Sequence, residues 1–331
     1  MLKSRSGLRK LAALITIALS ALTLQTTAVA PASATDNAPA TLAFIDKAFN
    51  ANQEIVLYGN TEYGLTIEAL LQRKAGGYSL VKQLPAVKRI LVDRTVVGNN
   101  KVGYLYTKDG ALRTGRAGLF LFASNALGVA NRPLQLTVFN ELKTAIAPNG
   151  SIALANGNSV EYAWVVLGLH AFKQDALANR VLTFLQSKAN SDGGFAGWSA
   201  TSSIDGTGLT LQAMAALRNY GGAKVVADRK TAIVKAAAYL RGVQVSGSYW
   251  QSDNGDGTFS PDPNGTAYAA MGLKSVGANI TRVSAWLKTQ VVTDGGIKSA
   301  WSNGAGDVFA TAQAYAPMIG KTYLELLPKR K

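Results

Sequence analysis

The chain has no cysteine in 331 residues. That absence removes disulfides, thiolate metal ligands, cysteine nucleophiles and internal thioesters together. Histidine is almost as scarce. His170 is the only one, and one imidazole cannot build a histidine metal cluster. It lies among Leu167, Leu169, Ala171 and Phe172, where a packed or helix-terminal histidine is the plain reading. No G-x-S-x-G elbow occurs, so a serine hydrolase triad has no support. Acidic residues are few, 19 against 34 lysines and arginines, for a formal charge of +15. The cations are scattered, as in Arg73-Lys74, Lys82, Lys88-Arg89 and Arg229-Lys230, without the aromatic interleaving of a nucleic-acid site. No nucleic acid is expected as partner. A solvated basic surface that adheres to an anionic cell-envelope polymer is the simpler consequence.

Long apolar runs are also missing beyond one near the start. Residues 11–24 are uncharged and mostly apolar, follow Lys3, Arg5, Arg9 and Lys10, and precede the small-x-small exit Ala32-Ser33-Ala34. A basic head, a short apolar middle and a small-residue exit read as a secretory signal peptide over residues 1–34. The run falls short of the ~20 residues that span a bilayer, so no transmembrane anchor is expected after cleavage. The mature chain, residues 35–331, is then secreted or extracytoplasmic. No Pro/Ser-rich linker or charge block divides it, so a single domain is expected.

What is present is a repeat, clearest over residues 176–217. Leu177, Val181, Phe184 and Leu185 recur at helical spacing, while Asn179, Arg180, Thr183 and Ser187 fall on other faces. Asp192-Gly193-Gly194 then turns the chain. Leu209, Leu211, Met214 and Leu217 follow, with Ala213, Ala215 and Ala216 leaving almost no polar face. A helix apolar all round belongs in an interior. The same inner pattern recurs over 64–70, 116–127, 160–171, 265–273 and 307–318. Amphipathic partners precede the six inner segments at 42–49, 84–92, 134–146, 176–188, 226–244 and 281–290. Glycine turns at Asp109-Gly110, Asn149-Gly150, Asp192-Gly193-Gly194, Asp256-Gly257 and Asp294-Gly295-Gly296 join outer to inner in five of the units. The apolar followers Leu112, Ile152, Phe195, Phe259 and Ile297 should tuck the returning chain under the helices. Neither helix of a unit can bury its apolar surface alone, so the copies must stack. The expected fold is all-α, an α/α toroid of six outer and six inner helices (an α6/α6 barrel). An open superhelix is the competing arrangement.

The segment Lys235-Ala236-x-x-Tyr239-Leu240-x-x-x-Gln244-x-x-Gly247-x-x-Trp250 resembles the QW repeat of squalene-hopene cyclases and related terpenoid cyclases. Phe184-Leu185-Gln186 with Asp192-Gly193-Gly194-Phe195, and Trp286-Leu287 with Gln290 and Asp294-Gly295-Gly296, are weaker versions. That resemblance implies the toroid shared with protein prenyltransferase β subunits and with cobalamin-binding intrinsic factor and transcobalamin. The last group is most similar to the tail, Asp307 to Ala314 and Gly320-Lys321-Thr322-Tyr323-Leu324-Glu325-Leu326. The D-x-D-D acid of the cyclases has no counterpart, and the prenyltransferase zinc set cannot be assembled without cysteine. The β-rich domain with which cobalamin carriers close over their ligand is not expected after Leu326. What the resemblance implies is therefore a ring with a central hollow, without the chemistry of the enzymes.

Glu62, Glu161, Asp205, Asp262 and Asp307 sit at inner-helix N-termini. There they can simply cap helices and complement the macrodipole. Alternatively they form a polar mouth for a ligand, or one of them, Asp205 or Asp307, serves as a proton donor. Trp198, Trp250 and Trp301 fall in the outer-to-inner loops, where they either brace neighbouring helices or, with Tyr268 and Gln313, contact a ligand. Ser252-x-Asn254-x-Asp256-Gly257 has the spacing of an EF-hand loop. Pro263 stands where the closing glutamate should be, and Asp262 comes one residue early, so calcium there competes with an ordinary turn. The leading expectation is an exported, non-catalytic protein that holds a small apolar or corrin-like (cobalamin-like) ligand in or over the ring. A terpenoid cyclase- or prenyltransferase-type enzyme with non-standard acids, and a cell-envelope scaffold, are the alternatives.

Overall fold

The computed structural model describes residues 37–93, 104–129, 132–153 and 158–330, so the expected leader over 1–34 lies outside the described residues. Among the described residues twelve α-helices alternate between two layers. The outer layer is α1 (Ala38–Ala48), α3 (Leu80–Lys88), α5 (Arg132–Ala145), α7 (Asp175–Gln186), α9 (Ala223–Gly242) and α11 (Thr281–Thr289). The inner layer is α2 (Tyr63–Ala75), α4 (Thr114–Ala126), α6 (Ser159–Ala171), α8 (Ile204–Ala216), α10 (Pro263–Ser275) and α12 (Val308–Met318). Each inner helix packs on the next, and α12 returns to α2, so the ring closes. The fold is an α/α toroid, and the open superhelix is excluded.

The layers follow from composition. In α7 only Ala178, Val181, Leu182 and Leu185 are buried, one stripe of an amphipathic helix. In α8 every residue from Gly206 to Met214 is buried. Inner helices approach closely through glycine. A Cβ on Gly208 would lie 2.4 Å from Tyr268 O, and one on Gly272 would lie 2.4 Å from Gly208 O, so α8 and α10 meet backbone to backbone. Gly118 and Gly168 do the same for α4 and α6, at 2.4 Å from Trp164 O and 2.2 Å from Gly118 O.

The turn glycines join successive units. Gly150, Gly193 and Gly295 hold φ of +89°, +87° and +90°, and a Cβ on each would lie 2.3, 2.8 and 2.6 Å from Arg180 O, Lys235 O and Ala40 O. The third and fourth units thus lay their turns on the outer helices that follow, α7 and α9, and the sixth lays its turn on α1. Only a residue without a side chain satisfies both the positive φ and this approach.

Three antiparallel hairpins interrupt the all-helical pattern: β1 (Val56–Leu57) with β2 (Asn60–Thr61), β3 (Phe195–Ala196) with β4 (Ser202–Ser203), and β5 (Gln251–Asp253) with β6 (Phe259–Pro261). Each stands immediately before an inner helix. The returning chain is fastened by an inner-helix threonine: the N–H groups of Ile55, Phe195, Trp250 and Ile297 donate to the hydroxyls of Thr66, Thr207, Thr266 and Thr311 at 2.8–3.0 Å. This contact corrects the reading of the fifth unit. Leu112, Ile152, Phe195 and Ile297 are buried as expected, but Phe259 is 60% exposed. Asp256-Gly257 is the β5–β6 tip, and the turn that joins the layers is Ser246-Gly247, both at positive φ. Trp250, fully buried, takes the place expected for Phe259.

Candidate functional site

The ring axis is occupied. Tyr323, from the tail after α12, has no exposed surface. Its ring lies 6.2 Å from that of Phe122 on α4, 5.4 Å from Trp164 on α6 and 6.4 Å from Tyr268 on α10. Its hydroxyl meets Gln72 Nε2 of α2 at 3.5 Å, and its N–H donates to Gln212 Oε1 of α8 at 3.3 Å. One residue in reach of five inner helices can stand only at the centre. The hollow that the toroid suggested is filled at this level by the protein's own tail.

The tail also covers the C-terminal ends of the inner helices. Lys321 Nζ donates to Ala75 O at 2.6 Å, at the end of α2. Lys274 at the end of α10 pairs with Glu325 at 2.7 Å. Beyond the 3₁₀ turn Leu324–Leu326, Arg330 reaches Asp175 and the carbonyl of His170, whose Nδ1 also bonds Asp175 at 2.8 Å. The single histidine therefore belongs to the anchor of this strap. Burial and the Arg330 charge hold its pKa below the ordinary value, against the pull of Asp175.

Toward the N-terminal face stands Glu68, a buried carboxyl in the middle of α2. Tyr268 Oη donates to its Oε1, and Gln313 Nε2 donates to its Oε2 at 2.7 Å. Gln313 Oε1 in turn accepts from Asn264 Nδ2 at 2.8 Å. Burial pushes the Glu68 carboxyl up to about 7, although these two donors favour the charged form. Sequence reading passed over Glu68 because it lies within the apolar inner pattern. Yet an acid in an inner helix with almost no polar face was itself a signal, since such a group must find partners.

Above Glu68 the acids of the fourth and fifth units converge. A Cβ on Gly265 would stand 3.1 Å from Asp205 Oδ1 and 2.7 Å from Asp262 Oδ2, so both carboxyls share the space over one bare Cα. Asp262 caps α10 through Asn264 N at 2.9 Å. Asp205 accepts no hydrogen bond from a described residue. Burial first, then the nearby Asp262 and Glu68, push it up to about 7. Asp262 is also raised by burial, against the backbone donors of Gly265 and Asn264. Both open on a groove of about 580 Å³ between the hairpins of the fourth and fifth units, β3–β4 and β5–β6, lined also by Ser202, Ser203, Tyr239 and Phe259.

The other expected residues are dispersed. Glu62 is exposed at the start of α2 and caps only through its carbonyl. Glu161 is half-buried; burial raises its pKa, and Arg116 and Arg113 partly offset that. Asp307 caps α12, accepting from Phe309 N at 2.8 Å. Trp250 donates its indole N–H to Leu240 O at 2.8 Å, a brace between outer and inner layers. Trp198 and Trp301 are 87% and 69% exposed. In the EF-hand-like loop, Ser252 pairs with Ser260 across the hairpin, Asn254 Nδ2 bonds Thr258 and Ser260, and Asp256 accepts from Thr258 N at 2.9 Å. Among the described residues no group of three or more acids or histidines is placed to hold a metal ion.

No family model matches the chain. No curated protein matches it either. Solved structures do. The type II terpene cyclase MstE from Scytonema superposes with a TM-score of 0.63 at 16% identity, covering 89% of this chain and 99% of its own. A glycosyl hydrolase of family 88 from Bacteroides vulgatus superposes at 0.59 and 12% identity, covering 85% and 97%. An inactive variant of the α-1,6-mannanase GH76A of Salegentibacter sp. HEL1_6, in complex with α-1,6-mannotriose, gives the same score, identity and coverage. At these identities the likeness establishes the toroid and stops there. It does not extend to the cobalamin-type ligand that the resemblance of the tail implied.

Proposed function

We propose that the chain is an exported binding protein that holds a small ligand over the N-terminal face of the ring, in the groove between the hairpins of the fourth and fifth units. The observation that carries this reading is Asp205, a carboxyl with no donor among the described residues, beside Asp262 at an open groove, in a ring whose axis and opposite face are covered by the tail. The Asp205 carboxyl, two serines, a tyrosine and an exposed phenylalanine suit a ligand that offers hydroxyl or amide donors along with an apolar face. An amide-fringed corrin meets that description, and so does a sugar. A plain hydrocarbon leaves the Asp205 carboxyl desolvated and unpaired, at a cost of about 1–3 kcal/mol.

The test is ligand binding by the mature chain. Native mass spectrometry of protein from its own host, and calorimetry against cobalamin, neutral oligosaccharides and a polyprenol, should find one donor-rich ligand. Asp205→Asn should weaken that ligand by roughly tenfold or more, the worth of one charge-assisted hydrogen bond. A panel without binding and a protein free of ligand would end this reading, as would tight binding of the polyprenol that ignores Asp205.

A second reading has its own support in the acids at about 7. A carboxyl protonated near neutrality can donate a proton, and Glu68 and Asp205 both qualify. Two solved neighbours hold ligands: a variant of MstE is in complex with its substrate geranylgeranyl dihydroxybenzoate, and the mannanase variant with α-1,6-mannotriose. The polar groove favours the saccharide of the two. Release of mannose from mannotriose that disappears in Asp205→Asn would select the enzyme over the binding protein.

A further inference from the structure

Six large aromatic side chains are exposed among the described residues, and five of them stand on one face of the ring. Tyr58, Trp198, Phe259 and Trp301 are 99%, 87%, 60% and 69% exposed. They lie on the segments that precede the inner helices of the first, fourth, fifth and sixth units, and Phe309 lies in the first turn of α12. Because the sixth unit closes on the first, these four units are consecutive around the ring. Tyr220, after the end of α8, is the sixth and the one exception. Solvent-facing indoles on short, hydrogen-bonded turns are unusual for a soluble surface that has no use for them.

The charge of this face is opposite to that of the molecule. Within residues 50–62, 190–203, 245–262 and 291–307 the acids are Glu54, Glu62, Asp192, Asp253, Asp256, Asp262, Asp294 and Asp307, against Lys298 alone. The whole chain carries 34 cations and 19 acids. An anionic polymer or lipid headgroup is therefore repelled where the rings are, and the scattered cations that could attract one lie elsewhere. What suits flat exposed rings among carboxylates, asparagines and serines is an uncharged chain of hydroxylated rings. Its apolar faces stack on indole, and its hydroxyls donate to the acids.

We infer that the hairpin arc is a docking surface for a neutral polysaccharide, with Trp198 and Trp301 as its principal platforms. The arc shares Phe259 with the rim of the groove, but its principal platforms, Trp198 and Trp301, do not line the groove, and the arc extends over two further units. Its role is to hold the exported protein on a glycan.

The test is affinity electrophoresis of the mature chain through gels containing an α-mannan, a β-glucan or an arabinogalactan, with sedimentation on anionic phospholipid vesicles as counter-probe. Retardation is expected in at least one glycan gel. Trp198→Ala/Trp301→Ala together should reduce it by roughly tenfold, the product of two lost stacking contacts. The thermal midpoint should stay unchanged, since both side chains are on the surface. Tyr220→Ala, off the arc, should leave retardation intact. Trp198 and Trp301 do not line the groove, so a groove that binds nothing leaves this readout standing, and a failed arc leaves ligand binding at Asp205 standing. No retardation in any gel, retardation indifferent to the double substitution, or sedimentation with vesicles that the double substitution abolishes would overturn the inference.

Discussion

Replacing Tyr323 by alanine tests the filled axis most directly. The side chain is fully buried and meets three aromatic rings and Gln72, from four different helices, while the backbone N–H that bonds Gln212 of the fifth is kept in the variant. Removing a buried aromatic costs about 3–5 kcal/mol, as lost transfer energy plus a cavity that the surroundings cannot close. The ring here is held by helices that are themselves locked by Gly208–Gly272 and Gly118–Gly168 contacts, so relaxation is small and the upper half of that range is expected. Tyr323→Phe isolates the hydroxyl. Its 3.5 Å contact with Gln72 is at the limit of a hydrogen bond, so the phenylalanine variant should lose no more than about 1 kcal/mol. Equilibrium unfolding in guanidinium chloride measures both, and unchanged m-values would confirm that only stability moved. If Tyr323→Ala costs less than about 1 kcal/mol, or the two variants cost the same, the tail does not plug the ring and the argument for a ligand over the ring loses its footing.

Two further predictions concern the interior. Glu68 and Asp205 have folded pKa values near 7, raised above those of the unfolded chain, so their protonated forms stabilise the fold fully below about pH 4. That stabilisation is lost as pH rises through about 7. Glu68→Gln should flatten the decline between pH 5 and pH 8 by up to about 3 kcal/mol relative to the parent, whatever constant offset the amide introduces; parallel stability curves for the two proteins would refute the assignment. Gly208→Ala should destabilise by about 1–3 kcal/mol or more, because its Cβ meets Tyr268 O at 2.4 Å. Gly242→Ala, at the end of α9 with nothing within 4 Å, should be neutral or slightly stabilising in the same unfolding assay.

The toroid was legible because its signals are local. Inner segments declare themselves by lacking a polar face and outer ones by a single stripe, so all twelve helices fall where the periodicity puts them, within a few residues at the ends. The hairpins were not legible, since strands of two or three residues are too short for an alternating pattern. In the fifth unit Asp256-Gly257 imitated a layer-joining turn because Asp-Gly serves a hairpin tip equally well. The inner-helix threonine was the better marker: Gly64-Leu65-Thr66 and Gly206-Thr207 carry it visibly, and it would have pointed to Trp250. Three tryptophans of similar loop position then separate into one brace and two exposed platforms. Asp205 and Asp262 could be named from their places at helix starts. Glu68 and Tyr323 could not be joined to them, because their partners are more than a hundred residues away in sequence and meet only when the ring closes.

Closure also explains why chemistry should sit on the rim. Six inner helices line the axis with side chains from every unit, and here several are polar: Glu68, Gln72, Gln212 and Gln313. A dry hollow lined by such groups would strand them without partners, which no apolar ligand could relieve. The tail resolves this by bringing a tyrosine whose ring faces the aromatics and whose polar atoms face the glutamines. Once the axis is spent on stability, the parts of each repeat left free to differ are the turns between outer and inner helices. They do differ, from the short bridge Ile146–Ile152 in the third unit to the long β5–β6 hairpin in the fifth. Unequal turns make one face of a near-symmetric ring uneven, and a groove forms where two long ones stand side by side. Asp205 and Asp262 lie in that groove because each is anchored at the start of the helix its own hairpin leads into.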